Sequence, residues 1–125
     1  MGKNYVEKIH KKLKMAYAQI LVAENIKKNK RQNALKSLYV LAMTGNIFAT
    51  PEFLASVYIS SSMSEVKKAR KILEKALKKE DISMEDRLLL KQLESVLKPD
   101  KEIGFYDLKI MVAEALRILE SAPLL

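Results

Sequence analysis

The chain has no cysteine and no tryptophan, and only three glycines and three prolines in 125 residues. Without cysteine there is neither a disulfide framework nor a thiolate zinc site, which leads us to expect a reducing, cytoplasmic setting. Turn residues this sparse do not suit a β-sandwich, and no segment of four to eight residues alternates cleanly enough to read as a strand. Long apolar runs are also lacking. The longest, residues 38–43, falls far short of the roughly 20 residues that cross a bilayer, so no transmembrane segment is expected. The opening Met1-Gly2-Lys3-Asn4-Tyr5 leads into a charged helical pattern without the apolar stretch of a secretory leader.

Groups suited to catalysis are equally scarce. His10 is the single histidine, and it reads as a solvated residue on a lysine-rich face. No Gly-rich phosphate loop of the GxxxxGK or GxGxxG kind occurs. Glu85 and Asp86 are neighbours, about 100° apart on a helix, and read as partners of a helix N-terminus rather than an acid/base pair. The expectation is therefore a non-enzyme with no cofactor and no metal. Met15, Met43, Met63, Met84 and Met111 are scattered along the chain and read as gap-fillers of a core.

What is abundant is helix former and positive charge. Apolar residues make up 49% and charged residues 30% of a chain whose formal net charge is +8. Residues 1–50 hold ten Lys or Arg against Glu7 and Glu24, whereas residues 51–125 hold thirteen of each sign. The whole excess thus lies in the first part, where a surface kept merely soluble would mix signs. Uncompensated charge of this kind suggests a negatively charged partner.

Apolar residues set the expected elements. Val6, Ile9, Leu13, Tyr17, Ile20 and Ala23 recur every three or four positions, which predicts an amphipathic helix over residues 4–26 with a basic outer side. Ala34, Leu35, Leu38, Leu41 and Ala42 predict a second, ended by Thr44-Gly45-Asn46, where glycine can take the left-handed backbone of a C-cap. Thr50-Pro51-Glu52 starts a short third helix ending near Tyr58. Ser62-Met63-Ser64-Glu65 reads as a capping box opening a fourth to about Lys79, and Ser83-Met84-Glu85-Asp86 as another opening a fifth that stops at Pro99. A last helix begins around Phe105, buries Leu108, Met111, Val112, Ala115 and Leu119, and ends before Pro123. The expected fold is all-α: a single domain over residues 1–125, a bundle of five to six helices whose first two form a basic N-terminal helical hairpin.

Lys27, Lys28, Lys30, Arg31 and Lys36 would gather at the tip of that hairpin, with Lys8, Lys11, Lys12 and Lys14 along the helix leading to it. Such a surface attracts phosphates without reading sequence, because each lysine–phosphate contact releases counterions. The expectation is a non-catalytic nucleic-acid-binding accessory protein, or a small subunit of a nucleoprotein complex. It requires that carboxylates of the balanced remainder do not fold over these lysines. The alternative is an adaptor for protein–protein interaction: a helical bundle that oligomerises with itself or meets an acidic protein partner.

Residues 50–58 (Thr-Pro-Glu-Phe-Leu-Ala-Ser-Val-Tyr), a turn over 59–62, and residues 63–73 together resemble the helix-turn-helix of winged-helix and repressor proteins. The resemblance implies a DNA-binding regulator in which Ala55 is the small residue under the turn. Ser64, Lys67, Lys68 and Lys71 would then lie on the groove-facing side of a recognition helix.

Overall fold

The computed structural model describes residues 2–29, 42, 43, 45, 51–98 and 103–121. Among them are four α-helices and no strand: α1 (Gly2–Lys28), α2 (Pro51–Leu77), α3 (Met84–Val96) and α4 (Phe105–Ser121). The all-α class expected from the sequence is the one observed. The second helix expected over residues 34–43 lies mostly outside the described residues, of which Ala42 and Met43 are helical. Gly45 takes a φ of 65°, the left-handed backbone anticipated for it.

Helices α1 and α2 share a seam with a heptad-like rhythm. On α1 the buried positions are Ile9, Leu13, Ala16, Ile20 and Ala23; on α2 the seam positions are Ala55, Ser62, Val66, Ala69, Leu73 and Ala76, with Ile59 partly buried between the first two and Glu65 buried at the seam's edge. Spacings alternate between three and four on both helices, which is the signature of knobs-into-holes packing. Every seventh α2 position, from Ala55 through Ser62 and Ala69 to Ala76, is small, as are Ala16 and Ala23 opposite. Small side chains at a contact shorten the distance between helix axes. Gln19 Nε2 donates to Ser61 Oγ at 2.9 Å, and Lys12 lies 3.4 Å from Glu65. Position rises on one helix as it falls on the other, so the pair is antiparallel, each 27-residue helix running about 40 Å.

Two helices were expected over residues 51–58 and 63–79; one continuous helix is found. The reason lies in the serines. Ser62 is buried, and its hydroxyl donates to the Ile59 carbonyl at 2.7 Å, while Ser56 does the same to Phe53 at 2.6 Å. A hydroxyl that bonds back to the preceding turn is satisfied inside a helix and has no need of a terminus to cap. No glycine or proline interrupts residues 52–98. The turn required by the helix-turn-helix resemblance is therefore absent, and that reading is set aside.

Helix α4 lies along the other side of α1, also antiparallel. Lys27 sits over the Phe105 ring at 4.3 Å from its centroid, Lys109 donates to Glu24, and His10 Nε2 is 3.4 Å from Glu120. Helix α3 begins with Ser83, whose side chain accepts from the Asp86 N–H at 3.2 Å, as the sequence anticipated. Its far end is held by Arg70 of α2, which donates to the carbonyls of Glu94 at 3.0 Å and Leu97 at 2.7 Å. Arg87 of α3 in turn donates to the Leu77 and Lys79 carbonyls at the end of α2. Each guanidinium fills acceptors that a helix C-terminus leaves open.

One hydrophobic cluster, with Leu13, Leu73, Leu93, Leu108 and Val112 among its buried members, draws on all four helices. On α4 the buried set is Leu108, Met111, Val112, Ala115 and Leu116; Leu119 is only partly buried. The methionines meet the gap-filling expectation in part: Met111 is buried and Met63 packs partly buried against the core, whereas Met15, Met43 and Met84 are exposed.

Candidate nucleic-acid interface

The lysines predicted from the first helix are dealt to different sides. Lys8, Lys11 and Lys14 are exposed and make no ion pair among the described residues. Lys12 is half-covered, 3.4 Å from Glu65. Lys27 stacks on Phe105, and Lys28 is 3.8 Å from Glu24. Lys30, Arg31 and Lys36 lie outside the described residues. The hairpin tip itself thus lies mostly outside the described residues; of the lysines described, Lys14, Lys27 and Lys28 sit toward α4 and Lys12 sits toward α2.

The second helix carries a basic stripe wider than the Lys67, Lys68 and Lys71 named from the helix-turn-helix resemblance. From residue 66 to its end at Leu77 it carries Lys67, Lys68, Arg70, Lys71 and Lys75 against the single carboxylate Glu74, and Lys78 and Lys79 follow directly after it. Arg70 pairs with Glu74 at 3.2 Å. Lys68, Lys71 and Lys75 follow at three and four residues, which sets them on one stripe. Lys67, Lys71 and Lys75 are exposed and unpaired among the described residues. The charge balance of residues 51–125 concealed this stripe, because acids beyond residue 79 offset it in the sum. The i, i+3, i+7 spacing was the signal that could have revealed it.

Glu65 joins the two sets. It is buried, with Lys12 Nζ at 3.4 Å from one carboxylate oxygen and Lys68 Nζ at 3.5 Å from the other. A carboxylate taken out of water needs such compensation. The Lys12 contact is close in distance yet lacks hydrogen-bond geometry, leaving that oxygen without a hydrogen bond. Two lysines from different helices meeting one carboxylate on the seam fix the relation of the rows: Lys8, Lys11 and Lys12 of α1 run beside Lys68, Lys71 and Lys75 of α2. A carboxylate from the later part of the chain does fold over the first helix here, but it arrives with more lysines than it neutralises.

Ser64, named from the helix-turn-helix resemblance, is exposed in mid-helix. With Ile59, Ser60, Met63, Lys67 and Ile103 it lines a shallow groove of about 540 Å³ on the far side of α2. Lys68 and Lys71 belong to the basic face for a reason other than the one that first singled them out. Glu7 and His10 have the i, i+3 spacing of a helical ligand pair; still, among the described residues no three His, Asp or Glu side chains stand close enough to hold a metal ion. No described helix is long and apolar enough to cross a membrane.

Across the seam between α1 and α4, Lys109 donates to Glu24. That hydrogen bond holds the Glu24 carboxyl below its ordinary range and the Lys109 ammonium above its own, against the opposing effect of partial burial. Glu114 and Arg117 are a second pair with the same pattern of shifts and the same leading cause. The chain matches no protein-family model, no curated protein and no solved structure.

Proposed function

We propose that this chain is a non-catalytic, cytoplasmic accessory protein that binds the phosphate backbone of a nucleic acid, with little base specificity. The contact surface is the paired lysine rows of α1 and α2. The observation that carries the reading is the set of exposed lysines Lys8, Lys11, Lys71 and Lys75, unpaired among the described residues and flanking the seam where Lys12 and Lys68 meet Glu65. Lysine ammonium groups are strongly hydrated point charges suited to a polyanion, and lack the fork geometry that reads base edges. Rows on two helices can follow a phosphate chain over several contacts, each releasing counterions.

The test is a gel-shift titration with single- and double-stranded DNA and RNA at about 50 mM salt, where backbone contacts are strong. Binding to these polyanions, weakened in common by Lys71→Gln with Lys75→Gln, supports the reading. Absence of binding to all of them overturns it.

A further inference from the structure

Glu65 is a buried charge set between the two lysine rows, and its surroundings couple it to whatever those rows hold. Its side chain is 10% exposed, against 35% for Lys12 and 55% for Lys68. Lys12 of α1 stands 3.4 Å from one carboxylate oxygen and Lys68 of α2 stands 3.5 Å from the other. Among the described residues no further cation from any of the four helices pairs with it. Lys8 lies one helical turn before Lys12, and Lys71 one turn after Lys68, at the edge of the same field. The neutral neighbours are committed elsewhere: the Ser62 hydroxyl donates to the Ile59 carbonyl, and Gln19 donates to Ser61. The oxygen facing Lys12 has no hydrogen bond.

The three groups differ in what they can reach. Each ammonium sits at the end of a flexible stem and can turn outward, whereas the carboxylate is held close to the seam. A phosphate arriving at this face therefore competes with Glu65 for the same two cations. Its advantage is cumulative, because phosphate charge repeats along the polymer and each contact releases counterions. Once both lysines face the polymer, Glu65 is left out of water, beneath a negative ligand and without a cation. A carboxylate in that position favours its neutral form.

We propose that Glu65 takes up a proton when Lys12 and Lys68 leave it for phosphates, so that the chain grips a nucleic-acid backbone more tightly as the medium turns mildly acidic. The inference rests on the nucleic-acid reading of the two rows and adds a regulator to that site. The proton comes from the buffer, adds to a Glu65 oxygen as the two ion pairs break, and returns to the buffer on release. Because the complex then holds more protons than the free chain, affinity rises as pH falls.

The test is the affinity of the parent chain and of Glu65→Gln for a labelled DNA duplex and a labelled RNA single strand, at low salt and at about pH 7.5 and about pH 5.5. Glutamine stands in for the protonated acid at every pH. The advantage of the variant at the higher pH should therefore shrink at least about twofold at the lower one, as the parent catches up. Calorimetry at about pH 6 in buffers of different ionisation enthalpy should show the parent taking up a fraction of a proton on binding that the variant does not. His10, which titrates in the same range, lies on the α4 side against Glu120, and His10→Gln in both chains removes its share. Should Glu65→Gln melt early, carbon NMR of the parent's carboxyl groups, free and bound, should show the Glu65 carboxyl turning neutral in the complex; an unchanged carboxyl overturns the proposal. No binding at either pH would remove the nucleic-acid reading and this inference with it. Binding with the same pH dependence and proton count in parent and variant would overturn the inference alone, because Lys12 and Lys68 would then stay with Glu65 in the complex.

Discussion

Lys12 of α1 and Glu65 of α2 meet at 3.4 Å on the seam between the two longest helices, and Lys68 approaches the same carboxylate from the other side at 3.5 Å. A negative charge therefore sits at the centre of a positive face. Replacing it with a neutral isostere, Glu65→Gln, frees both ammonium groups and adds one unit to the net charge. Affinity for a phosphate polymer is expected to rise about two- to tenfold at low salt and to converge with the parent at high salt, as screening dictates. Fluorescence anisotropy with a labelled oligonucleotide measures it, and an unchanged affinity would place the interface elsewhere.

Ser62 and Ser83 look alike in sequence, each followed three residues later by an acid, yet only Ser83 caps a helix. Ser83→Ala should cost about 1 kcal/mol of stability through the lost bond to the Asp86 N–H. Ser62→Ala should cost less than about 0.5 kcal/mol, because the Ile59 carbonyl it leaves keeps its place in the helix. Urea midpoints of the two variants decide the matter. Equal losses would mean that a helix begins near residue 63 after all.

Ala69 occupies a small position of the α1–α2 seam and is fully buried. Ala69→Leu must force the helices apart or drive side chains off their rotamers, at a cost of about 1–3 kcal/mol. Exposed Ser64 on the same helix should accept leucine with little change in stability. Thermal melts compare the two; a neutral Ala69→Leu would contradict the close approach of α1 and α2.

The bond between Lys109 and Glu24 predicts a pH window. Glu24, lowered, contributes stability that is present above the ordinary carboxylate range and is lost as pH falls through its lowered value. Lys109, raised, contributes stability that is present below the ordinary lysine range and is lost as pH rises through its raised value. Glu24→Gln should therefore be less stable than the parent at neutral pH, with the gap closing in strong acid and in strong alkali. Denaturation midpoints across pH measure this, and a gap independent of pH would show that the pair does not act through charge.

The fold was largely legible where local chemistry decides it. The apolar stripe of α1, Pro51 at the head of α2, Ser83 at the cap of α3 and the start of α4 at Phe105 each mark what the structure bears out. The false break near Ser62 arose because Ser-x-x-Glu is read as a cap wherever it falls. The unbroken small-residue heptad from Ala55 to Ala76 carried the contrary signal. Met15 was misread by residue type, although its spacing from Leu13 already turned it away from the core stripe. The basic face was harder, since it depends on which lysines of α2 lie beside those of α1. That pairing is fixed by long-range contacts such as Gln19 with Ser61, to which no local pattern points.

The most direct measurement is the salt dependence of nucleic-acid binding for the parent chain and for the combined Lys8→Gln, Lys11→Gln, Lys71→Gln, Lys75→Gln variant. If these lysines contact phosphates, affinity falls linearly with salt on a double-logarithmic plot. The slope of the variant should then be shallower by roughly 0.7–0.9 for each lysine engaged. A parent chain that does not bind, or a variant whose slope is that of the parent, would contradict the proposed role of the two rows.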